Sequence, residues 1–149
     1  MALSKDRILA EKKVSHAPEF PLSVATGYRV FRGSLCVVCQ DGTVVPAGTA
    51  APPSPAVASA GIARHAQDNT GTSTVMSAQV GPGPLWCEKS CFGMPFDTAP
   101  TWADVGKPVY AVDDETVSLT ETPASGSARL QVGTLSGLEA DGTAYVLFA

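Results

Sequence analysis

Residues Ser34–Gln40, "SLCVVCQ", constrain the fold more than any other stretch. Side chains alternate across a strand, so Leu35, Val37 and Cys39 share one face and Cys36 and Val38 the other. Both faces are apolar, and a strand of that kind is buried on both sides. Asp41-Gly42 follows at once and is the strongest short hairpin signal in the chain, with Thr43–Val45 as the return strand.

The rest of the chain is punctuated in the same way. Its 14 glycines and 12 prolines are spread over 149 residues, which argues for many short strands and tight turns. Asp104–Thr120, "DVGKPVYAVDDETVSLT", reads as strand, turn, strand. Val109–Val112 favours extended backbone, Asp113-Asp114 supplies turn chemistry, and Val117–Leu119 resumes the alternation. Gln131–Leu135 and Thr143–Phe148 form a last hairpin around Glu139–Gly142. Shorter strands are expected at Phe20–Val24, Tyr28–Phe31 and Ser59–Arg64, with a turn at Gln67–Gly71 and a longer strand at Thr72–Val80. Leu85–Cys87 and Cys91-Phe92 are apolar pieces around a charged tip, Glu88-Lys89. Thr101–Val105 is a single helical turn capped by Thr101. Pro46–Ala58 is a loop, because Pro52, Pro53 and Pro55 cannot donate to a ladder. It carries no titratable side chain, so it suits binding better than chemistry. The expected fold is all-β: a small sandwich or barrel, jelly-roll-like, of short antiparallel strands.

Residues 1–19 lack β alternation and read as an N-terminal arm on a single β-rich domain, 20–149. The arm is expected to be disordered or ordered by a partner, with a short helical turn near Asp6–Lys12. Met1–Lys13 holds four of the ten basic residues and two of the fourteen acids, so the arm is mildly basic and the body acidic. An acidic body repels phosphates, so this is no nucleic-acid signature. It fits an arm that docks on an acidic protein surface, or a solvated tail. Charged residues make up 16% of the chain, against roughly 25% in an average domain. Either partner subunits cover part of the surface or the loops are simply neutral. No apolar run approaches the roughly 20 residues of a membrane span. Lys5, Asp6, Arg7, Glu11, Lys12 and Lys13 interrupt any signal-peptide pattern, so synthesis and first use in a cytoplasm are expected.

Few residues point to chemistry. Cys36 and Cys39 have C-x-x-C spacing, and Cys87 and Cys91 have C-x-x-x-C spacing. Four thiolates could bind zinc. On a strand, however, residues 36 and 39 face opposite ways, and buried thiols behave as small hydrophobes. Structural thiols are the favoured reading over zinc, a disulfide or redox chemistry. His16 and His65 read as exposed or capping, without a nucleophile elbow nearby. Asp113, Asp114 and Glu115 could coordinate calcium, but a solvated turn is the plainer account. No Gly-rich loop opens a helix after a strand, so nucleotide chemistry has no support. No cofactor, no metal and no catalytic residue is assigned.

The segments "MALSKDR", "FPLSVATGYRVFRGSLCVV", "DGTVVPAG", "GIARHAQDNTG", "VGKPVYAVDDETV" and "QVGTLSGLEADGTAYVLF" together resemble the head-decoration, or cement, proteins of tailed bacteriophages. Trp86–Phe96 and Pro46–Ala58 depart from that pattern. The resemblance implies a structural virion protein, not an enzyme. Such a protein binds the outside of the expanded capsid, bridges major-capsid subunits and assembles as a symmetric dimer or trimer. It implies contact through the arm, with Lys5, Arg7, Ile8, Leu9, Lys12 and Lys13 as the candidate residues. The partner is the phage major capsid protein, and neither nucleic acid nor membrane is expected. The rival reading is a glycan- or receptor-binding β module displayed on the virion, using Trp86, Trp102 and Tyr110.

Overall fold

The computed structural model describes residues 2–12, 19–72 and 78–148. Among these the chain is nearly all β. The strands are β1 (Glu11–Lys12), β2 (Ser23–Val24), β3 (Arg29–Val30), β4 (Leu35–Cys39), β5 (Thr43–Pro46), β6 (Ala56–Ala63) and β7 (Gln67–Asp68), followed by β8 (Gln79–Val80), β9 (Cys87–Glu88), β10 (Cys91–Gly93), β11 (Pro108–Ala111), β12 (Val117–Ser118), β13 (Gln131–Leu138) and β14 (Ala144–Phe148). A single 3₁₀ turn, Trp102–Asp104, is the helical element.

Three sheets result. A six-stranded sheet, curled like half a barrel, runs β1-β10-β14-β13-β11-β12. A five-stranded sheet runs β2-β5-β4-β6-β9, and a small third sheet runs β3-β7-β8. The sandwich expectation holds, but not all pairings are antiparallel. β2 runs parallel to β5, and β7 parallel to β8.

β4 shows why the layers stack this way. Leu35, Val37 and Cys39 join the larger core, with Phe92, Val109, Val117, Val132, Leu135, Val146 and Phe148 of the curled sheet. Cys36 turns to a second core, with Val24, Val30, Val44, Leu85 and Cys87. The five-stranded sheet therefore has apolar packing on both faces. Each fully buried Val or Leu contributes about 1.5–3 kcal/mol through removal from water.

Several local expectations hold. β4 and β5 form the Asp41-Gly42 hairpin, with Gly42 at φ +84°. The Gly42 N–H donates to Cys39 O at 2.9 Å, and Asp41 Oδ1 accepts from Thr43 N at 2.9 Å. This is a type I turn followed by one left-handed residue, so only glycine's position needs positive φ. β11 and β12 pair through Tyr110–Ser118 and Ala111–Val117, and β13 and β14 close the last hairpin.

Others need correction. Gln67-Asp68 is strand β7 rather than turn, held by Arg29, whose Nε donates to buried Asp68 Oδ2 at 2.5 Å. The expected strand at 72–80 is described only at its end, β8, because 73–77 lie outside the described residues. β6 starts at Ala56, so the proline-rich loop is shorter than 46–58. β9 and β10 do not flank a tip. They enter different sheets, and the chain crosses between layers at Lys89-Ser90.

Candidate functional site

The arm is the part of the molecule that departs most from expectation. Residues 2–12 lie extended along the body, with no helical turn near Asp6–Lys12. Glu11 and Lys12 form β1 and pair with Phe92 and Cys91 at the edge of the curled sheet. The Gly93 N–H donates to Ala10 O at 2.7 Å, and the Arg7 N–H to Arg32 O at 2.7 Å. An extended backbone satisfies its groups on a neighbouring edge, which a lone helical turn here could not do.

Extension also sorts the side chains. Arg7, Leu9 and Glu11 turn toward the body and are half-buried, while Ile8 and Ala10 face out. Leu9 packs against the larger core. Ile8 is 79% exposed. Lys5 is exposed as well. Of the six arm residues assigned to partner contact, Arg7 and Leu9 are thus engaged with the chain's own body, and Lys5 and Ile8 are exposed. Lys12 is placed by its backbone in β1, and Lys13 and His16 lie outside the described residues.

Arg7 is clamped. Its Nε donates to Gly33 O at 2.9 Å, Nη1 to Glu115 O at 3.1 Å and Nη2 to Asp114 O at 3.1 Å. Burial lowers its pKa, and the charges of Glu115, Asp114 and Asp113 work the other way. The planar fork suits three converging carbonyls in a way a lysine cannot. Asp114 is the hub of the same corner. Its Oδ1 accepts from Leu3 N at 2.9 Å and its Oδ2 from Ser34 Oγ at 2.7 Å. The solvated-turn expectation fails here: Asp114 is 3% exposed, and burial pushes its carboxyl up. Asp113 alone does the turn work, accepting from Glu115 N and Thr116 N.

Between arm and body lies a cleft of about 210 Å³, lined by Arg7, Glu11, Arg32, Arg64, Glu88 and apolar neighbours. Arg64 Nη1 bonds Glu19 at 2.9 Å, and its Nε lies 3.9 Å from Glu88 Oε2. Glu88 is pushed up by burial and by the charge of Glu11.

The remaining candidates are dispersed. Trp102 is 67% exposed at the 3₁₀ turn, where Thr101 N donates to Asp104 Oδ2 at 2.8 Å. Its ring edge, Cζ3 and Cη2, lies 3.6 Å from where a Cβ on Gly137 would sit. Trp86 precedes the edge strand β9, with its backbone N–H donating to His65 Nε2 at 3.3 Å. Tyr110 lies on β11 and is half-buried. The three do not form one aromatic platform. The four cysteines do not converge either. Cys36 and Cys87 lie in the second core, where Cys36 Sγ donates to Ser34 O at 3.5 Å, Cys39 belongs to the larger one, and all four are buried and free. Among the described residues, no three His, Cys, Asp or Glu side chains come together as metal ligands do. No helix among them is long and apolar enough to cross a membrane.

The inward turn of Arg7 had no sequence signal beyond its charge, since the glycine and carbonyls that receive it are distant in sequence. No family model matches the chain, and neither a curated protein nor a solved structure is similar enough to count as a match.

Proposed function

We propose that this chain is a capsid cement protein: a non-catalytic virion component that binds the outer surface of an expanded phage head and bridges its major capsid subunits. The observation that carries the reading is the preorganised arm. An extended segment pinned by Arg7 leaves Ile8 and Lys5 exposed, so the arm presents a partner surface without an ordering cost at the moment of binding. This modifies the mechanism expected from sequence. The arm binds as part of the body rather than as a disordered tail that orders on the shell. A ligand that binds only the expanded shell stabilises that state by mass action, and many copies multiply a small gain per site. A symmetric dimer or trimer on a symmetry axis is part of the proposal.

The test is co-sedimentation of the purified protein with capsids of its phage, before and after expansion. Saturable binding to expanded shells alone supports the reading and gives the copy number. Absence of binding to either form overturns it.

A second reading has one observation in its favour. Trp102 is exposed on a turn fixed by the Thr101–Asp104 and Lys107–Asp104 contacts, the latter at 2.7 Å. A rigid exposed indole is a stacking surface for a sugar ring. A glycan array with the wild-type protein and Trp102→Ala separates this reading from the first.

A further inference from the structure

Glu11 Oε1 is buried at the arm–body joint and has no hydrogen-bond partner among the described residues. The carboxyl of Glu88, from strand β9 and 34% exposed, lines the same cleft, and the charge of Glu11 acts on it. Two ionised carboxylates in contact repel, and neither can donate to the other. A proton on Glu88 changes both facts: it removes one charge and supplies the missing donor to Glu11.

We propose that Glu11 and Glu88 form a proton-operated latch, in which the arm docks while a protonated Glu88 donates to Glu11 and loosens when that proton passes to solvent. The geometry places the latch where it can act. Glu11 belongs to β1, the strand by which the arm joins the curled sheet, whereas Glu88 belongs to the five-stranded sheet. The pair therefore ties arm to body across two layers.

The other charges facing the pair do not remove the need for a proton. Arg64, which follows β6, has its Nε 3.9 Å from Glu88 Oε2, but Glu19 holds its Nη1. Arg7 is engaged with three carbonyls, and Arg32 lines the cleft as an exposed side chain. At the far end of the arm Asp114 accepts from Leu3 N, so its own titration is read at Leu3 rather than at β1. The sign follows from Glu88 being raised: docking is fully supported at low pH and weakens as pH rises through the Glu88 titration. The latch concerns the arm's hold on its own body, so it stands whether or not the capsid reading does.

Hydrogen exchange of the Gly93 amide, which donates to Ala10 O, reports the docked arm directly. Exchange is followed by NMR from pH 4 to pH 8 and corrected for intrinsic rates. The Phe148 amide, bonded to Ser90 O, serves as a control for the body. In the wild type, Gly93 protection falls about tenfold for each pKa unit by which docking raises Glu88, while Phe148 protection does not follow it. In Glu88→Gln the amide donates to Glu11 without a proton, so Gly93 protection stays level across the range. Glu11→Gln levels it as well, and carries the test if the first variant fails to fold. A wild-type profile that is flat, or one that keeps its slope in these variants, overturns the proposal.

Discussion

Gly33 is the seat of Arg7. A Cβ on Gly33 would stand 2.5 Å from the Arg7 carbonyl oxygen and 3.1 Å from its carbonyl carbon. Gly33 also sits at φ +85°, where a side chain costs about 1–2 kcal/mol by itself. Gly33→Ala should therefore lose about 2–4 kcal/mol, the conformational cost plus part of the arm's docking. Arg7→Met should lose a similar amount, since three carbonyls lose charged donors. Both changes break one contact, so the double variant should cost less than the sum, as read from urea midpoints.

Gly42→Ala tests the same backbone effect without a neighbour. Gly42 has φ +84° and nothing within 4 Å of an added Cβ. Its cost should stay at about 1–2 kcal/mol. Gly93 exchange protection, relative to global stability, should be unchanged in this variant and reduced in Gly33→Ala.

Asp104 should titrate at about 2, below its ordinary 3.8, because Lys107 and the Thr101 backbone and hydroxyl donate to it. Its folded value is depressed, so its contribution is present above pH 3.8 and is lost as pH falls through about 2. Carboxyl-carbon NMR measures this directly. Lys107→Gln should move the midpoint upward but short of the ordinary value, since the Thr101 donors remain.

Cys36 should resist thiol reagents. Interaction with the neighbouring Cys87 thiol, together with burial, raises its pKa well above the ordinary thiol value. The thiolate is the reactive form, so labelling at pH 7.5 should run at least about a hundredfold slower than for free cysteine, and should accelerate only with unfolding. Mass spectrometry of the labelled peptide identifies the site. Fast labelling in the native state would contradict the second core.

Ile8→Asp and Lys5→Glu address the proposed partner surface. Both side chains are exposed, so stability should change by no more than about 0.5 kcal/mol. Binding to expanded capsids should fall at least about tenfold, which corresponds to about 1.4 kcal/mol. Undiminished co-sedimentation would remove the arm's outer face from the interface.

The body was legible where the chemistry is local. Alternation at Leu35–Cys39 placed β4 between two cores, and Asp41-Gly42 and Asp113 announced their turns. The helical turn at Thr101 was readable from its capping residues. What could not be read is settled by partners far apart in sequence. Gln67-Asp68 resembles a turn until Arg29 and β8 make it a strand. Cys87 and Cys91 look like one hairpin until each joins a different sheet. Arg7 looked like a surface cation because nothing near it announces Gly33, Asp114 and Glu115 as its receivers.

The arm's attachment also bears on the order in which the molecule is completed during synthesis. Leu3 bonds Asp114, a separation of 111 positions, and Arg7 reaches Asp114 and Glu115 across more than a hundred. The arm precedes the β11–β12 corner in synthesis, so its seat does not exist until that corner has followed it out. Closing so long a loop is slow, so the arm is placed among the last elements to settle. Until then the edge of β10 stands open, and a nascent neighbour's arm would fit it as well as the chain's own.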